Sequence, residues 1–115
     1  MNEPPQHRWT LESARALLGD VRDRTAAAVE EVEGLLQRRD ATPDGTPERA
    51  EVEDDIQEIA GRWARAMDAL GLEVQGPWLV DFDNGEGYYC WKWPEETLDH
   101  FHGYDEGFAG RIRIQ

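Results

Sequence analysis

The sequence predicts an α+β fold, in which a long antiparallel helical hairpin is followed by a small antiparallel β-sheet and an irregular C-terminal tail. Apolar residues first recur at intervals of three and four, and their period changes to two after Leu72. An Asn-Gly pair then divides the alternating region, as in a β-hairpin. We expect a single domain over residues 1–115, because a chain of this length can bury most of its apolar surface in one core.

The first helix is predicted over residues 10–39, after a flexible lead over residues 1–8. Thr10 is a favourable N-cap, and Glu12 lies in the first turn, where the helix dipole favours an anion. The intervals of three and four form a heptad-like seam of these residues: Leu11, Ala14, Leu18, Val21, Thr25, Ala28, Val32 and Leu35. Arg38 and Arg39 place cations at the expected C-terminal end.

The second helix is predicted over residues 47–70. Thr46 is its expected N-cap, and Pro47 occupies the first helical position, where a missing N–H group costs nothing. Gly71 is the expected left-handed C-cap, after which Leu72 folds back on Met67.

The small sheet is predicted over residues 72–93, and residues 94–115 form the tail. Its hairpin turns at Asn84-Gly85, because this pair adopts the positive φ angles of a tight turn. Alternation places Tyr89, Trp91 and Trp93 on one face of the last strand and Tyr88, Cys90 and Lys92 on the other. We expect the first face to pack in the core, the alternative being a platform on which a ligand stacks. Trp78 is the expected exposed aromatic residue.

Composition excludes several classes of partner. The formal net charge of −13 would repel nucleic acid, whose binding depends on neutralised phosphates. We find no apolar stretch of membrane-spanning length and no signal peptide, and the single cysteine cannot form an internal disulfide. The sequence therefore predicts an acidic cytoplasmic protein with no nucleic-acid or membrane partner.

The predicted first helix is too long for a compact monomer of this size. It would extend about 45 Å, whereas a compact chain of this length has a radius of gyration of about 13 Å. Two helices alone cannot enclose a wide apolar stripe, so we expect a homodimer with a four-helix bundle. The alternative is a helix that breaks at Gly19 or Gly34 and folds back.

Several short segments resemble one bacterial family. They are Trp9-Thr10-Leu11-Glu12, Ala14-Arg15-Ala16-Leu17-Leu18, Gly71-Leu72-Glu73-Val74, Leu79-Val80-Asp81-Phe82, Cys90-Trp91, Glu95, His102 and Asp105-Glu106-Gly107-Phe108-Ala109-Gly110-Arg111. With these segments the chain resembles the uncharacterised family catalogued as domain of unknown function 2203. It departs from that pattern at Pro94, where a glycine is typical, and at Phe101, where a tryptophan is. The resemblance implies no activity, because none is established for the family.

A metal site is the first functional candidate. His102 with Glu95 and Asp105 offers a mixed nitrogen and oxygen ligand set, which suits Zn, Mn or Fe. Glu106, His100 and Cys90 are possible further ligands. The alternative is a surface histidine with ordinary acidic neighbours.

Cys90 has two competing interpretations. It would be a nucleophile if His102 acted as its base. A lone cysteine in an aromatic strand is more often a small buried hydrophobic residue. The role of its neighbour Trp91 is unassigned.

The segment from Asp105 to Arg111 is interpreted as a structural lock, and Glu106 in it has no assigned role. Gly107 and Gly110 allow a chain reversal, and Phe108 is expected in the core. Arg111 is expected to form a forked ion pair with Asp105 or Asp81. The alternative is that Arg111 binds an anionic ligand.

These observations favour a non-enzymatic, dimeric interaction module with a possible protein partner. We find no complete catalytic triad and no phosphate-binding loop in the sequence. The alternative is a metal-binding protein or metal-dependent enzyme with its site around His102, Glu95 and Asp105.

Overall fold

The computed structural model describes residues 8–114, which form an α+β fold as predicted. Two helices come first, α1 (Leu11–Asp40) and α2 (Pro47–Ala69). Five strands follow: β1 (Glu73–Gly76), β2 (Leu79–Asp83), β3 (Gly87–Lys92), β4 (His100–Gly103) and β5 (Ile112–Arg113). A short 3-10 helix, Phe108–Gly110, lies between the last two strands. Except for Arg8, the expected flexible lead lies outside the described residues.

Local capping signals set the ends of both helices. The Thr10 hydroxyl accepts a hydrogen bond from the Ser13 amide at 3.0 Å, and the Ser13 hydroxyl accepts one from the Thr10 amide at 3.0 Å. Gly71 has a φ of 90° after α2, and the Leu72 amide donates to the Met67 carbonyl at 3.1 Å. α1 continues unbroken through Gly19 and Gly34. The predicted caps and the long first helix are therefore confirmed.

The two helices pack along the predicted seam. Its buried members on α1 are Ala14, Leu18, Val21, Thr25, Ala28 and Val32. Thr25 is the polar member, and its hydroxyl donates to the Val21 carbonyl at 2.7 Å. The same hydroxyl accepts a hydrogen bond from the Trp63 indole N–H at 2.9 Å, which satisfies a buried donor of α2.

The five strands form one antiparallel sheet in which neighbours in sequence are neighbours in space. The Asn84 side chain accepts hydrogen bonds from the Glu86 and Gly87 amides at 2.8 and 2.9 Å, and these close the predicted β2–β3 hairpin. Gly87 is required at the start of β3, because a Cβ there would lie 2.6 Å from the His102 carbonyl oxygen. The missing side chain thus lets β3 and β4 approach.

The two faces of the sheet differ sharply in composition. Val80, Phe82 and Trp91 are buried in the core shared with the helices, and Tyr89 and Trp93 pack against that core. The predicted core role of this aromatic face is confirmed. The opposite face is polar and contains the candidate site.

The C-terminal region is more ordered than an irregular tail. β4 pairs with β3, and β5 pairs with β4, so residues 94–115 contribute two strands. Both strands are short, and neither has the length or the residue preference that marks a strand in a sequence. Trp78 also differs from expectation, because it is only partly exposed and its ring centroid lies 5.0 Å from that of Trp63.

The hairpin makes the molecule elongated. The Cα radius of gyration is 16.6 Å and the principal extents are 49 × 39 × 26 Å, whereas a compact chain of this length would have a radius of about 13 Å. The inferred projection of the long hairpin agrees with these dimensions. Across residues 8–114, neither helix has an apolar stretch long enough to cross a membrane.

We predict that Thr25→Val lowers the free energy of unfolding by about 1–3 kcal/mol, because it leaves the buried Trp63 indole N–H without its acceptor. Thr42→Val is the matched control, since the Thr42 hydroxyl donates to the exposed Arg38 carbonyl. It should change stability by no more than about 0.5 kcal/mol. Urea unfolding of both variants measures the difference, and equal effects would contradict the structural role of Thr25.

Candidate metal centre

Strand register brings the candidate residues together on the polar face of the sheet. Asp81 of β2 lies opposite Cys90 of β3, and Tyr88 of β3 lies opposite His102 of β4. Directly opposed residues in antiparallel strands project to the same side. His100 lies opposite Cys90, so both histidines of β4 share this face, as predicted.

Asp81, Cys90 and His102 form a compact buried group, the triad. One ligand atom from each lies within 4.8 Å of the other two. The three residues are 1%, 1% and 4% exposed. Among the residues that the structure describes, this is the one group of three potential metal ligands that meets this distance.

Both ring nitrogens of His102 contact hydrogen-bond acceptors. Nδ1 lies 2.9 Å from the Gly103 carbonyl oxygen, and Nε2 lies 3.0 and 3.1 Å from the two carboxylate oxygens of Asp81. A carbonyl only accepts, so Nδ1 holds a proton, and a further proton lies between Nε2 and Asp81. The residues therefore share one proton across a buried hydrogen bond.

The pKa values of this pair agree with a retained proton. Burial raises the pKa of Asp81, although the His102 ring opposes that change. Burial by itself would lower the pKa of His102, but its acceptors at Gly103 and Asp81 together outweigh burial and raise it.

Cys90 is a protonated thiol at neutral pH. Burial first, and then the neighbouring Asp81 carboxylate, raise the pKa of Cys90 to about 12, while Arg111 opposes both. The thiolate is the nucleophilic form of cysteine, so this environment does not favour the nucleophilic role considered from the sequence. A bound cation would reverse this balance, because it stabilises the thiolate.

Glu95 lies in an ion pair, outside the triad. Its Oε1 and Oε2 accept hydrogen bonds from the two terminal nitrogens of Arg111 at 3.0 and 2.6 Å, and Oε1 also accepts from the Lys92 amide at 2.8 Å. Burial would raise the pKa of Glu95, but Arg111, the Lys92 amide and His100 together outweigh burial and lower it. The expected pairing of Arg111 with Asp105 or Asp81 is therefore wrong. The structure does not bring Glu95 into the group that contains His102.

Phe108 is not in the core, contrary to expectation, because it is 40% exposed. Phe108 lies on the polar side of the sheet, because it lines the same cavity as Asp81, Cys90 and His102. The centroid of the Phe108 ring is 4.2 Å from Cζ of Arg111 and 5.6 Å from Nζ of Lys92. The ring therefore contacts cations rather than the apolar core.

A cavity of about 440 Å³ adjoins the triad. Its lining includes all three triad residues and, from the C-terminal segment, Tyr104, Asp105, Glu106, Gly107 and Phe108. Asp105 and Glu106 are thus near the predicted site, although neither belongs to the buried triad. Glu106 helps to shape the segment, because its Oε1 accepts a hydrogen bond from the Gly103 amide at 2.8 Å.

Asp81 is the site residue that the sequence argument missed. It was considered only as a partner for Arg111, yet a carboxylate in the middle of the apolar run Leu79-Val80-Asp81-Phe82 is itself a signal. The register of the predicted hairpin would have placed it opposite Cys90.

The chain belongs to the family described as an uncharacterized conserved protein, DUF2203, whose model matches residues 7–114. The resemblance drawn from the sequence is thereby confirmed. Comparisons with curated proteins and with solved structures give no match. The chemistry of the site must therefore be argued from its own residues.

We predict that the metal-free protein becomes less stable as pH rises from about 6.5, the ordinary His value, through the raised pKa of folded His102. The native state retains a proton that the unfolded chain has lost, so the free energy of unfolding falls by at most about 1.4 kcal/mol per pH unit. Urea unfolding between pH 6 and pH 8 with a chelator measures this slope. The double variant Asp81→Asn/His102→Gln should remove the slope and His100→Gln should retain it; equal slopes in the two variants would refute the shared proton.

Proposed function

We propose that this protein binds a divalent transition metal through Asp81, Cys90 and His102, and that zinc fits these ligands best. The observation that supports the proposal most is the closeness of three different ligand atoms, within 4.8 Å of one another, in a buried site. This set retains His102 from the sequence prediction and replaces Glu95 and Asp105. The Glu95 carboxylate is already bound to Arg111.

The distances within the triad suit a small ion. Tetrahedral zinc with ligand bonds of about 2.0–2.3 Å separates its ligand atoms by about 3.3–3.8 Å. Nε2 of His102 and the Asp81 oxygens are now 3.0 and 3.1 Å apart, so a small outward movement would admit the ion. A thiolate together with imidazole favours zinc over magnesium or calcium, which prefer oxygen ligands.

The orientation of His102 also supports ligation. Metal-binding histidines almost always donate their second ring N–H to a carbonyl or carboxylate, which fixes the ring. Nδ1 of His102 makes such a bond to the Gly103 carbonyl, and Nε2 faces the other two ligands.

Metal binding would release protons from the triad. Two protons must leave, the thiol proton of Cys90 and the proton shared by Asp81 and His102, because metals bind the deprotonated ligands. Affinity should therefore rise with pH. The formal net charge of −13 adds a general attraction for cations.

We place the protein in a reducing compartment such as the cytoplasm, because Cys90 must remain reduced to serve as a ligand. Three protein ligands would leave one of the four positions of tetrahedral zinc for a ligand from the cavity, which the triad lines. Catalytic zinc sites typically have this arrangement, with water or substrate in the fourth position. The proposal is metal binding with an accessible position, and it assigns no reaction.

We predict that untagged, chelator-treated protein binds one equivalent of Zn²⁺ or Co²⁺ at neutral pH. The Co²⁺ complex should show an absorption band from Cys90 thiolate ligation, and Cys90→Ser should lose it. Asp81→Asn and His102→Gln should each weaken binding by at least about 100-fold, since even outer partners of metal ligands contribute 10- to 100-fold. Titration by absorption and elemental analysis measure these effects.

His100→Gln is the matched control, because His100 lies on the same strand and face but outside the triad. It should bind metal like the original protein. Metal uptake that is unchanged in both Cys90→Ser and His102→Gln would refute the proposed site, as would a stoichiometry near zero.

Self-association through the helical hairpin is a second candidate function. The contacts of α1 with the region after β3 lie in its first half, at Arg15 and Arg22. Farther along the hairpin, Leu35, Leu36 and Ile56 remain only partly buried. A second copy would cover these side chains in a four-helix bundle, the geometry expected for two such hairpins. The protein would then be a dimeric module, and this dimer does not depend on whether the triad binds a metal.

We predict a dimer by light scattering at micromolar concentration. Leu36→Glu, which places a charge on the partly buried end of the hairpin, should shift the species toward monomer. Leu17→Glu is the control, because Leu17 is similarly half-buried in the other half of α1. A monomer at all concentrations tested would refute the dimer without affecting the metal proposal.

A further inference from the structure

We infer that the cavity beside the triad binds a small organic cation, namely an alkylammonium group of a free amine. The cavity volume of about 440 Å³ lies in the range of small-ligand sites, which is about 300–1,000 Å³. The inference concerns residues outside the triad, and it does not require the metal to be bound.

The carboxylates outside the triad are the charges that a second ligand meets first. Asp81, Cys90 and His102 are almost fully buried, whereas Asp105 and Glu106 are exposed in the cavity lining.

Apart from Gln75, Leu79 and Gly107, the lining residues outside the triad are negative or aromatic. Asp105 and Glu106 contribute carboxylates, whereas the lining contains no Lys or Arg. Lys92 and Arg111 contact the Phe108 ring but do not line the cavity themselves. Arg111 is also paired with Glu95. Among the described residues, no Lys or Arg side chain lines the cavity to meet an anionic ligand, whereas an ammonium group would meet two carboxylates.

The aromatic residues provide surfaces that attract a cation. Tyr88 and Tyr104 form a T-shaped pair with centroids 5.1 Å apart. The Tyr88 hydroxyl donates to Glu73 at 3.1 Å and the Tyr104 hydroxyl donates to Asp83 at 2.6 Å. Donation to a carboxylate leaves a phenol more electron-rich, which strengthens the attraction between its ring face and a cation.

Phe108 is not part of the inferred cation site, because its ring already contacts two cations of the chain. The Phe108 ring, which also lines the cavity, contacts Arg111 at 4.2 Å and Lys92 at 5.6 Å. Both distances fall within the roughly 6 Å range of cation–π attraction. The ammonium group is therefore assigned to Tyr88, Tyr104 and the two carboxylates, and Leu79, which also lines the cavity, offers an apolar contact for the alkyl chain.

The test compares three probes of equal length: n-butylammonium, n-butanol and butyrate, at constant ionic strength in metal-free protein. We expect saturable amide shifts at Tyr104 and Gly107 in NMR titrations with n-butylammonium. Butyrate should cause none, and n-butanol should bind at least fivefold more weakly than the cation. Equal binding of the three probes, or no saturable response to the cation, would overturn the inference.

Asp105→Asn should weaken n-butylammonium binding about fivefold, since one solvated charge pair at about 4 Å contributes about 1 kcal/mol. Asp68→Asn on α2 removes the same charge from an exposed position outside the cavity and should leave affinity unchanged. An equal loss in both variants would mean a nonspecific charge effect and would overturn the inference.

Titrations of the original protein with Co²⁺ and, separately, with n-butylammonium distinguish this inference from the proposed metal function. If the original protein bound no metal but bound n-butylammonium selectively, the metal proposal alone would fail. If it bound metal but did not discriminate n-butylammonium from butyrate, the cation inference alone would fail.

Discussion

The register of β2, β3 and β4 is the constraint on which both the core and the candidate site depend. It places Val80 opposite Trp91 on the helix-facing side and Asp81 opposite Cys90 on the other. Because side chains alternate, a slip of one residue in β2 would turn Asp81 into the core and move Val80 out of it. Gly87 supports this register at β4, since any side chain there would collide with the His102 carbonyl.

The buried pair of Asp81 and His102 is not explained by stability alone. Replacing a buried ion pair with apolar residues is often neutral or stabilising, whereas removing one partner typically costs about 3–5 kcal/mol. An apolar core already lies on the opposite face of the sheet and does not need this pair. Together with Cys90, the pair therefore agrees with the metal ligand set proposed above, in its protonated and metal-free form.

Prediction from sequence succeeded where the signals are local. Thr10 and Gly71 define helix ends through contacts within a few residues, and the Asn84-Gly85 turn fixes a hairpin with alternating faces. Prediction failed where the contacting residues are far apart in the sequence. Arg111 pairs with Glu95 across 16 positions, and this pairing depends on how β4 and β5 fold back. His102 was identified by its chemistry, but its partner Asp81 lies 21 positions away on a strand two places across the sheet.

Proton exchange links the two proposals. If the triad released two protons on binding one divalent ion, the net charge of Asp81, Cys90 and His102 would stay the same, and the field across the cavity would change little. Metal affinity would then depend on pH, because the released protons enter the binding equilibrium. The proposed metal binding at the triad and the inferred cation binding in the cavity can therefore be tested separately, although both lie on one polar sheet face.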